Sequence, residues 1–321
     1  MKAICQHRYG SPTVLELEDV DKPVVDDEGV LVRVAATSVN PLDWHLMRGL
    51  PLFLRLMTGV RRPKSSRPGA DVAGYVEAVG ANITELRPGD EVFGGCDGAF
   101  AEYVCGKERH FVPKPARLTF EQAAAIPVAG CTALQALRDV GKVQPGQRVL
   151  INGAAGGVGT FAVQIAKAFG ADVTGVCSTR NIEMVRSIGA DTVVDYTVED
   201  FTRTGARYDV IVDNVGNRSL SALRRAMTPK GTVVIVGGGG GRLLGPMTQM
   251  LKARVLSRFV GQRMIMFIAT LNKEDLLVLK ELIDAGKVTP VVDRTYPLSE
   301  APEAIRYLET RHARGKVVVT V

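Results

Sequence analysis

The segment that most constrains the fold runs from residue 149 to residue 170 and reads VLINGAAGGVGTFAVQIAKAFG. An apolar run of strand length passes through a glycine-rich turn into an apolar run of helix length. Glycine lets a backbone turn tightly and approach a pyrophosphate, whose charge then lies on the amides at the helix N-terminus. Ala154 stands at the first glycine of the GxGxxG pattern, so the assignment depends on the strand before the turn and the helix after it. The alternative is a glycine turn that serves only helix packing.

The residues expected at the pyrophosphate are Ala155, Gly156, Gly157 and Val158. The end of the strand that follows this helix indicates which dinucleotide binds. An NAD site usually has an Asp or Glu at the end of the next strand, where it holds the ribose 2'-hydroxyl. This chain reads VTGVCSTRN there, with Ser178 and Arg180 and without a carboxylate. Because arginine pairs well with a 2'-phosphate, the sequence favours NADPH over NADH. The alternative is that Arg180 is a solvated residue at the start of a helix and does not contact the cofactor.

The rest of the chain divides into two patterns. Up to about residue 115, short strands alternate with turns, which is typical of a partly closed antiparallel barrel. Residues 119–141 predict a helix with Thr119 as its N-cap, and strands and helices alternate after it. A last helix at 272–286 and a closing strand at 315–321 follow. The predicted fold class is α/β, with a β-barrel part and a doubly wound parallel sheet.

Composition places the chain among soluble globular proteins. It has 321 residues, 46% of them hydrophobic and 23% charged, and this length predicts two domains. The net charge is +6, but the cations are spread along the chain without a nucleic-acid motif. We therefore expect no nucleic-acid partner, and a small polyanionic ligand accounts for the charge equally well. Five isolated cysteines without CxxC spacing indicate a reducing compartment.

The sequence also predicts where the protein resides. The stretch after Met1 lacks the pattern of a signal peptide. The apolar stretch 264–271 is far too short to cross a bilayer. We expect a cytoplasmic protein without stable membrane insertion.

Several motifs in order resemble one family over essentially the whole chain. They are VNPLDW (39–44), PGADVAGYVEAVG (68–80), RPGDEVFG (87–94), PVAGCTALQAL (127–137), NGAAGGVG (152–159), VDNVG (212–216) and GKVVV (315–319). The chain resembles zinc-independent medium-chain dehydrogenases/reductases, in their quinone oxidoreductase branch. The resemblance implies a GroES-like domain from residues 1–123 and 270–321 and a Rossmann NADP(H)-binding domain from residues 124–269. It also implies a homodimer that reduces a small hydrophobic electrophile, a quinone or an α,β-unsaturated carbonyl.

The resemblance implies further cofactor contacts. Thr132 matches a threonine near the nicotinamide, and Tyr196 matches a tyrosine near the 2'-phosphate. Asn214 and Val215 follow the fourth strand of the expected parallel sheet, and Gly237 ends the fifth. Lys316, before the last strand, is a weaker candidate for a phosphate contact.

Zinc is not expected. The places that hold the catalytic zinc in related enzymes are occupied here by Asn40, Ala70 and Val128, which supply neither thiolate nor imidazole. Asp43 with His45 is incomplete as a metal site by coordination number. Without a Lewis acid, reduction of an already electrophilic acceptor remains feasible.

Asn40 and His45 are the polar residues expected at the acceptor. His45 stands where many quinone reductases of this family have a tyrosine. It is interpreted either as a donor to the developing oxyanion or as a helix-start histidine facing water or the cofactor amide. Asp43 is expected as an N-cap or an internal hydrogen-bond partner, and Trp44 as packing or as a stacking surface. Residues 50–67 are expected to cover the substrate cleft or to form a surface loop.

A second class of function stays open at this stage. The same fold could serve as an NADPH-binding regulator or scaffold with little turnover. The basic, methionine-rich stretch 245–271 is interpreted either as a partner or membrane surface or as the last strands of the parallel sheet and a dimer edge.

Overall fold

A computed structural model describes residues 1–237 and 261–321. The chain forms two units. Unit 1 comprises Met1–Cys131, Leu271–Asp284 and Pro290–Val321. Unit 2 comprises Thr132–Thr270 and Ala285–Thr289. The chain thus leaves unit 1, forms unit 2 and returns, which is the order expected for the two domains. The sequence-derived domain limits stay a prediction.

Strands and helices have the following bounds. The strands are β1 (Lys2–Gln6), β2 (Leu15–Asp19), β3 (Gly29–Val39), β4 (Asp71–Val79), β5 (Glu91–Gly95), β6 (Tyr103–Lys107), β7 (Phe111–Pro113), β8 (Arg148–Asn152), β9 (Asp172–Cys177), β10 (Thr192–Asp195), β11 (Tyr208–Asp213), β12 (Met227–Ile235), β13 (Arg263–Met266), β14 (Val292–Pro297) and β15 (Lys316–Thr320). The helices are α1 (Pro41–Arg48), α2 (Leu54–Thr58), α3 (Phe120–Ala124), α4 (Pro127–Gln135), α5 (Gly157–Ala168), α6 (Ile182–Ser187), α7 (Leu220–Arg225), α8 (Lys273–Asp284) and α9 (Ala301–Glu309). Among the described residues, no helix is long and apolar enough to cross a membrane.

Unit 1 is built on a mostly antiparallel sheet. Its described strands follow the order β14-β15-β3-β4-β5-β7, and β6 also pairs with β3. Valines at alternate positions of β3, such as Val30, Val32 and Val34, pack into the apolar core with Phe111. Strand β15 pairs antiparallel with β3, so that Val317 lies opposite Val39. This pairing brings the C-terminal strand next to the end of β3, where α1 begins.

Unit 2 is a doubly wound parallel sheet. Its described strands follow the order β10-β9-β8-β11-β12-β13, and each strand runs parallel to its neighbours. Leu150, Val176 and Ile211 are fully or almost fully buried in its core. The strand order reverses between β8 and β11, and ligands of such sheets bind at the carboxyl ends of the strands at that point.

The sequence-predicted elements are confirmed with two differences. The helix expected over 119–141 is divided, because α3 ends at Ala124 and α4 begins at Pro127. Proline lacks the amide that would continue the helix across this point. Thr119 is the N-cap of α3, as predicted, and its hydroxyl accepts the Gln122 amide at 3.3 Å. Helices α2 and α9 and strand β14 were not predicted from the sequence. Most of the stretch 245–271 lies outside the described residues, although β13 within it does pair with β12.

Candidate functional site

The turn after β8 has the geometry of a pyrophosphate cradle. Its left-handed residue is Gly153, with φ of 80°, rather than Ala154. This explains why alanine is tolerated at the first glycine of the pattern. A Cβ on Gly159 would collide with the Gly153 carbonyl, so glycine there lets α5 approach the turn closely. Sequence reasoning missed Gly153, because the pattern directs attention to the following residue.

The start of α5 leaves donors and space for a phosphate. Gly156 is the N-cap in extended conformation, and the helix begins at Gly157. The first helical amides, those of Gly157 and Val158 among them, have no acceptor within the helix. A Cβ on Gly156 would meet only the Gly153 carbonyl, at 3.6 Å, so the space beside the turn is open. Amides, helix dipole and open space together fit a bound pyrophosphate.

The expected 2'-phosphate residues lie at neighbouring strand ends. Asp195 of β10 is paired with Cys177 of β9, and the Tyr196 amide donates to the Cys177 carbonyl at 3.0 Å. Ser178 and Tyr196 therefore leave the sheet side by side. Arg180 is exposed in the short turn that follows. The structure brings together the three residues predicted for this end of the cofactor.

Asp195 is a carboxylate at the same edge that sequence reasoning did not single out. It accepts the Thr179 hydroxyl at 2.5 Å and the Thr197 hydroxyl and amide at 2.7 and 2.9 Å. The Thr179 hydrogen bond is the main reason that its pKa lies below the ordinary value. The Thr179 hydroxyl bonds one carboxylate oxygen, and the Thr197 hydroxyl and amide bond the other. The Asp195 carboxylate is thus held by donors of the turns that follow β9 and β10.

A third group of predicted residues lies at the ends of β11 and β12. The side-chain amide nitrogen of Asn214 donates to the Asn152 backbone carbonyl at 3.1 Å. The side-chain carbonyl oxygen of Asn214 is buried without a partner among the described residues. A Cβ on Gly237 would collide with the Asn214 backbone carbonyl. Asn214, Val215 and Gly237 thus meet beside the strand that leads into the glycine turn. An unsatisfied buried carbonyl is a natural acceptor for a ligand donor such as a carboxamide.

Thr132 is the first residue of unit 2 and lies within α4, where it is buried. Its predicted place near the nicotinamide stays a prediction. Asn40, His45 and Lys316 all belong to unit 1.

Asp71 is the centre of a buried polar network in unit 1. One of its carboxylate oxygens accepts the Val128 amide at the start of α4, at 2.8 Å. The other accepts the Ser38 hydroxyl, the Asn40 amide at 2.8 Å and the Lys316 ammonium at 3.2 Å. Burial of an ion pair is tolerated only when its remaining lone pairs and protons are satisfied, and these additional donors satisfy them. Sequence reasoning missed Asp71, although the residue follows Ala70 directly.

This network occupies the side chains of Asn40 and Lys316. The Lys316 ammonium donates to the Asn40 carbonyl oxygen at 2.5 Å, while the Asn40 amide nitrogen donates to Asp71. Both side chains are almost fully buried. The geometry therefore does not support the predicted phosphate contact of Lys316, because its charge is directed at Asn40 and Asp71. Asn40 acts here by fixing the start of α1, since both ends of its amide are bonded within the protein.

Asp43 closes the first turn of α1. Its carboxylate accepts the Asn40 backbone amide at 2.7 Å, so it is the internal partner and Asn40 is the N-cap. Burial raises the pKa of this carboxyl to about 7, and the Asn40 hydrogen bond opposes the rise. Asp71 raises the pKa further and Lys316 lowers it.

His45 is tied to the backbone on one side and to an aromatic ring on the other. Its Nδ1 lies 2.8 Å from the Leu50 carbonyl, which can only accept, so Nδ1 carries the proton. The ring stacks on Trp44 with centroids 3.7 Å apart, and Trp44 packs on the apolar core of unit 1. Burial lowers the pKa of His45. In the neutral ring Nε2 is therefore an acceptor, and only the imidazolium can donate from that atom.

The zinc places do not fit a zinc ion. The Asn40 amide is bonded to Lys316 and Asp71, Ala70 has no ligand atom, and Val128 contributes only a backbone amide that Asp71 accepts. In residues 1–237 and 261–321, no group of three or more His, Cys, Asp or Glu side chains could hold a metal ion. Catalytic zinc needs three thiolate, imidazole or carboxylate ligands, and this donor set lacks them.

A doubly wound parallel sheet whose first glycine turn is open to a phosphate is the arrangement that binds dinucleotides in many dehydrogenases and reductases. Residues 26–116 match the family model described as alcohol dehydrogenase GroES-like domain, and residues 188–319 match that described as zinc-binding dehydrogenase. The mouse mitochondrial NAD(P)H oxidoreductase RTN4IP1 is 36% identical, over 98% of this chain and 87% of that protein.

Two further comparisons extend over the whole chain. The chloroplastic NADPH-dependent alkenal/one oxidoreductase of Arabidopsis thaliana is 35% identical, over 99% of this chain and 79% of that protein. The solved quinone oxidoreductase of Coxiella burnetii superimposes with a TM-score of 0.88 at 32% identity, covering 100% of this chain and 99% of that one. The chain belongs to the medium-chain dehydrogenase/reductase superfamily, in its quinone oxidoreductase branch.

Proposed function

We propose that this protein is an NADPH-dependent reductase that transfers hydride to a quinone or to the β-carbon of an α,β-unsaturated carbonyl, without zinc. The observation that carries the proposal is the turn after β8, with its open space and its free helix amides at the point where the strand order reverses. Relatives that extend over nearly the whole chain are named NAD(P)H and alkenal/one oxidoreductases.

Bound NADPH supplies the hydride, and the residues of unit 2 hold it. The amides of Gly157 and Val158 receive the pyrophosphate, with Ala155 and Gly156 leaving room for it. Ser178, Arg180 and Tyr196 form the 2'-phosphate end. The buried Asn214 carbonyl accepts from the carboxamide, beside Val215 and Gly237.

The donor set around Asn40 supports reduction of an electrophile without zinc. Oxidation of an alcohol needs a group that lowers the pKa of the hydroxyl, as a metal ion does. Here a buried ammonium, Lys316, and the amide of Asn40 saturate Asp71 instead. A quinone or enone is already electrophilic. Hydride adds to its ring or β-carbon, and the oxyanion or enolate that results takes up a proton.

Asn40 and His45 stay the candidate residues beside the acceptor, with narrower roles. Asn40 positions α1 through the Asp71 network. His45 can give a proton from Nε2 only as the imidazolium, which its lowered pKa makes a minor form at neutral pH. We propose that the proton comes from solvent and that His45 holds Trp44 and the Leu50 turn in place.

We also propose a cytoplasmic homodimer. Among the described residues β13 is the last strand of the parallel sheet, and a second copy could continue the sheet from this edge. Sedimentation of the purified protein tests the dimer, and cell fractionation tests the location. The relatives include mitochondrial and chloroplastic proteins, so an organellar location is the competing result.

The reductase proposal is tested with purified protein, NADPH and a panel of quinones, enals and enones. We expect acceptor-dependent loss of NADPH absorbance with at least one of the three classes. Tight NADPH binding without turnover on any acceptor would instead favour the regulatory alternative. Boiled protein is the control for uncatalysed reduction, which quinones undergo readily.

A further inference from the structure

The segment from Leu52 to Lys64 presents apolar side chains to solvent. Helix α2 has no buried residue, and Leu56 and Met57 within it are 75% and 73% exposed. Val60 follows the helix and is 64% exposed. Single exposed apolar side chains are ordinary, but they recur along this short segment, since Leu52, just before α2, is also 40% exposed. We call Leu52, Leu56, Met57 and Val60 the apolar patch.

Three cations follow the apolar patch directly. Arg61, Arg62 and Lys64 are exposed and line, with Val60, an open pocket of about 520 Å³. No acidic side chain lines this pocket. In the part of the chain that the structure describes, none of the three cations has an ion-pair partner. The pocket is therefore suited to an anionic group of phosphate type.

Hydrogen bonds hold the segment in place. The Tyr9 hydroxyl donates to the Gly59 carbonyl at 2.7 Å, and the Lys64 amide donates to the Thr58 carbonyl at 2.7 Å. The Gln6 amide of β1 donates to the Ser66 carbonyl at 2.6 Å. The apolar patch and the cations thus belong to one segment whose backbone is held by hydrogen bonds, which lowers the entropy cost of ordering it on binding.

We propose that this surface docks the protein, reversibly, on membranes that contain anionic phospholipids. A soluble polyanion would pair with the cations but leave Leu56, Met57 and Val60 in water. An apolar protein partner would cover those side chains but leave the cations unpaired. A bilayer interface offers phosphates and hydrocarbon within a few ångströms of each other, and so satisfies both. The net charge of +6 adds long-range attraction to an anionic surface.

Vesicle sedimentation with the full-length protein tests the proposal. We expect binding to phosphatidylcholine vesicles that contain phosphatidylglycerol, weak binding to phosphatidylcholine alone, and loss of binding as salt is raised. The triple variant R61Q/R62Q/K64Q should bind on the order of a hundredfold more weakly, from about tenfold or less for each lost charge. The double variant L56S/M57S should lose about tenfold or more, because its apolar contacts with the bilayer are gone.

Matched variants remove the same groups elsewhere. R225Q/K230Q/K287Q removes three exposed cations of unit 2, and V24S/V198S removes two exposed apolar side chains. Both should bind anionic vesicles within about threefold of the unchanged protein. Equal losses in the matched and test variants would mean unspecific adsorption, and would overturn the proposal. The proposal would also be overturned if the protein did not bind anionic vesicles. This holds even if inorganic phosphate alone binds in the pocket, or if L56S/M57S changes the oligomeric state.

Discussion

Asp71 is one buried residue that organises the polar network around Asn40. It receives the Lys316 ammonium, the Asn40 amide and the first free amide of α4. A carboxylate at a helix N-terminus is favoured by the helix dipole. The end of β3, the start of α4 and the C-terminal strand β15 are thereby joined through one side chain. We infer that this network, rather than a metal ion, fixes the geometry around Asn40.

The variant Lys316→Met tests the strength of the network. It leaves the Asp71 carboxylate buried without its cation, so we expect the free energy of unfolding to fall by about 3–5 kcal/mol. Adding Asp71→Asn should restore part of the loss, because the buried charge is then gone. The matched control is Lys22→Met, which breaks an exposed pair with Glu77 and should cost far less, because water screens the charges of an exposed pair. Similar losses for both lysines in urea unfolding would contradict the network.

Asp43 predicts a dependence of stability on pH. Its pKa rises from 3.8 to about 7 on folding, so the folded chain binds one more proton than the unfolded chain between these values. Its contribution to the free energy of unfolding therefore falls as the pH rises from about 4 to about 7, by up to about 4 kcal/mol. The isosteric Asp43→Asn lacks this titration. The stability of this variant relative to the unchanged protein should therefore rise as the pH rises from about 4 to about 7, and should stay constant at higher pH. A constant difference across the lower range would show that Asp43 does not titrate there.

Arg180 predicts the cofactor preference. Arg180→Asp places a carboxylate at the 2'-phosphate end, so we expect the Kd for NADPH to rise by a factor of ten or more, about 1.4 kcal/mol. The Kd for NADH should change far less, because NADH has no phosphate at that position. Fluorescence titration of both cofactors measures the ratio. Equal weakening of both would reject the role of Arg180.

At the scale of elements, the sequence predicts the parallel sheet better than it predicts the network. Most strands of unit 2 contain a short apolar run, as at 149–151 and 210–212, that is followed by glycine or a polar residue, and each run is local in sequence. The Asp71 network joins residues from four distant segments, and its polar members have no periodicity that would reveal it. Pro127 shows a third case, in which a local signal was present and was outweighed by the helical residues on either side of it.

The glycine turn predicts different effects for two neighbouring glycines. Gly159→Ala brings a Cβ onto the Gly153 carbonyl, so we expect a loss of about 1–3 kcal/mol in stability. Gly156→Ala meets no such contact and has φ of −84°, so its stability should fall by less than about 1 kcal/mol. Its methyl group would occupy the space proposed for the pyrophosphate, and NADPH binding should weaken at least tenfold. Unfolding and NADPH titration of both variants separate the two effects. Unchanged NADPH affinity in Gly156→Ala would place the pyrophosphate elsewhere.

At the scale of the whole molecule, the chain combines a family fold with a donor set that departs from the description of the family model as zinc-binding. The order of units follows from the sequence, because the change from strands and turns to alternating strands and helices is visible along the chain. The nature of the centre in unit 1 does not follow from the sequence alone. The sequence shows that residues 40, 70 and 128 lack zinc ligands. It does not show that the ammonium of Lys316, which the last strand supplies, lies beside Asn40 and Asp71.

The whole-molecule consequence is that metal removal should leave the activity intact. A buried ammonium bonded to Asn40 and Asp71 disfavours a divalent cation at the same place, and neither Ala70 nor Val128 can supply the missing ligands. We expect protein dialysed against a chelator to keep the turnover of the untreated protein on the best acceptor of the panel, and elemental analysis to find substoichiometric zinc. Re-addition of zinc should give no stimulation. Loss of turnover on dialysis and its recovery with zinc would require a metal site that the described residues do not form.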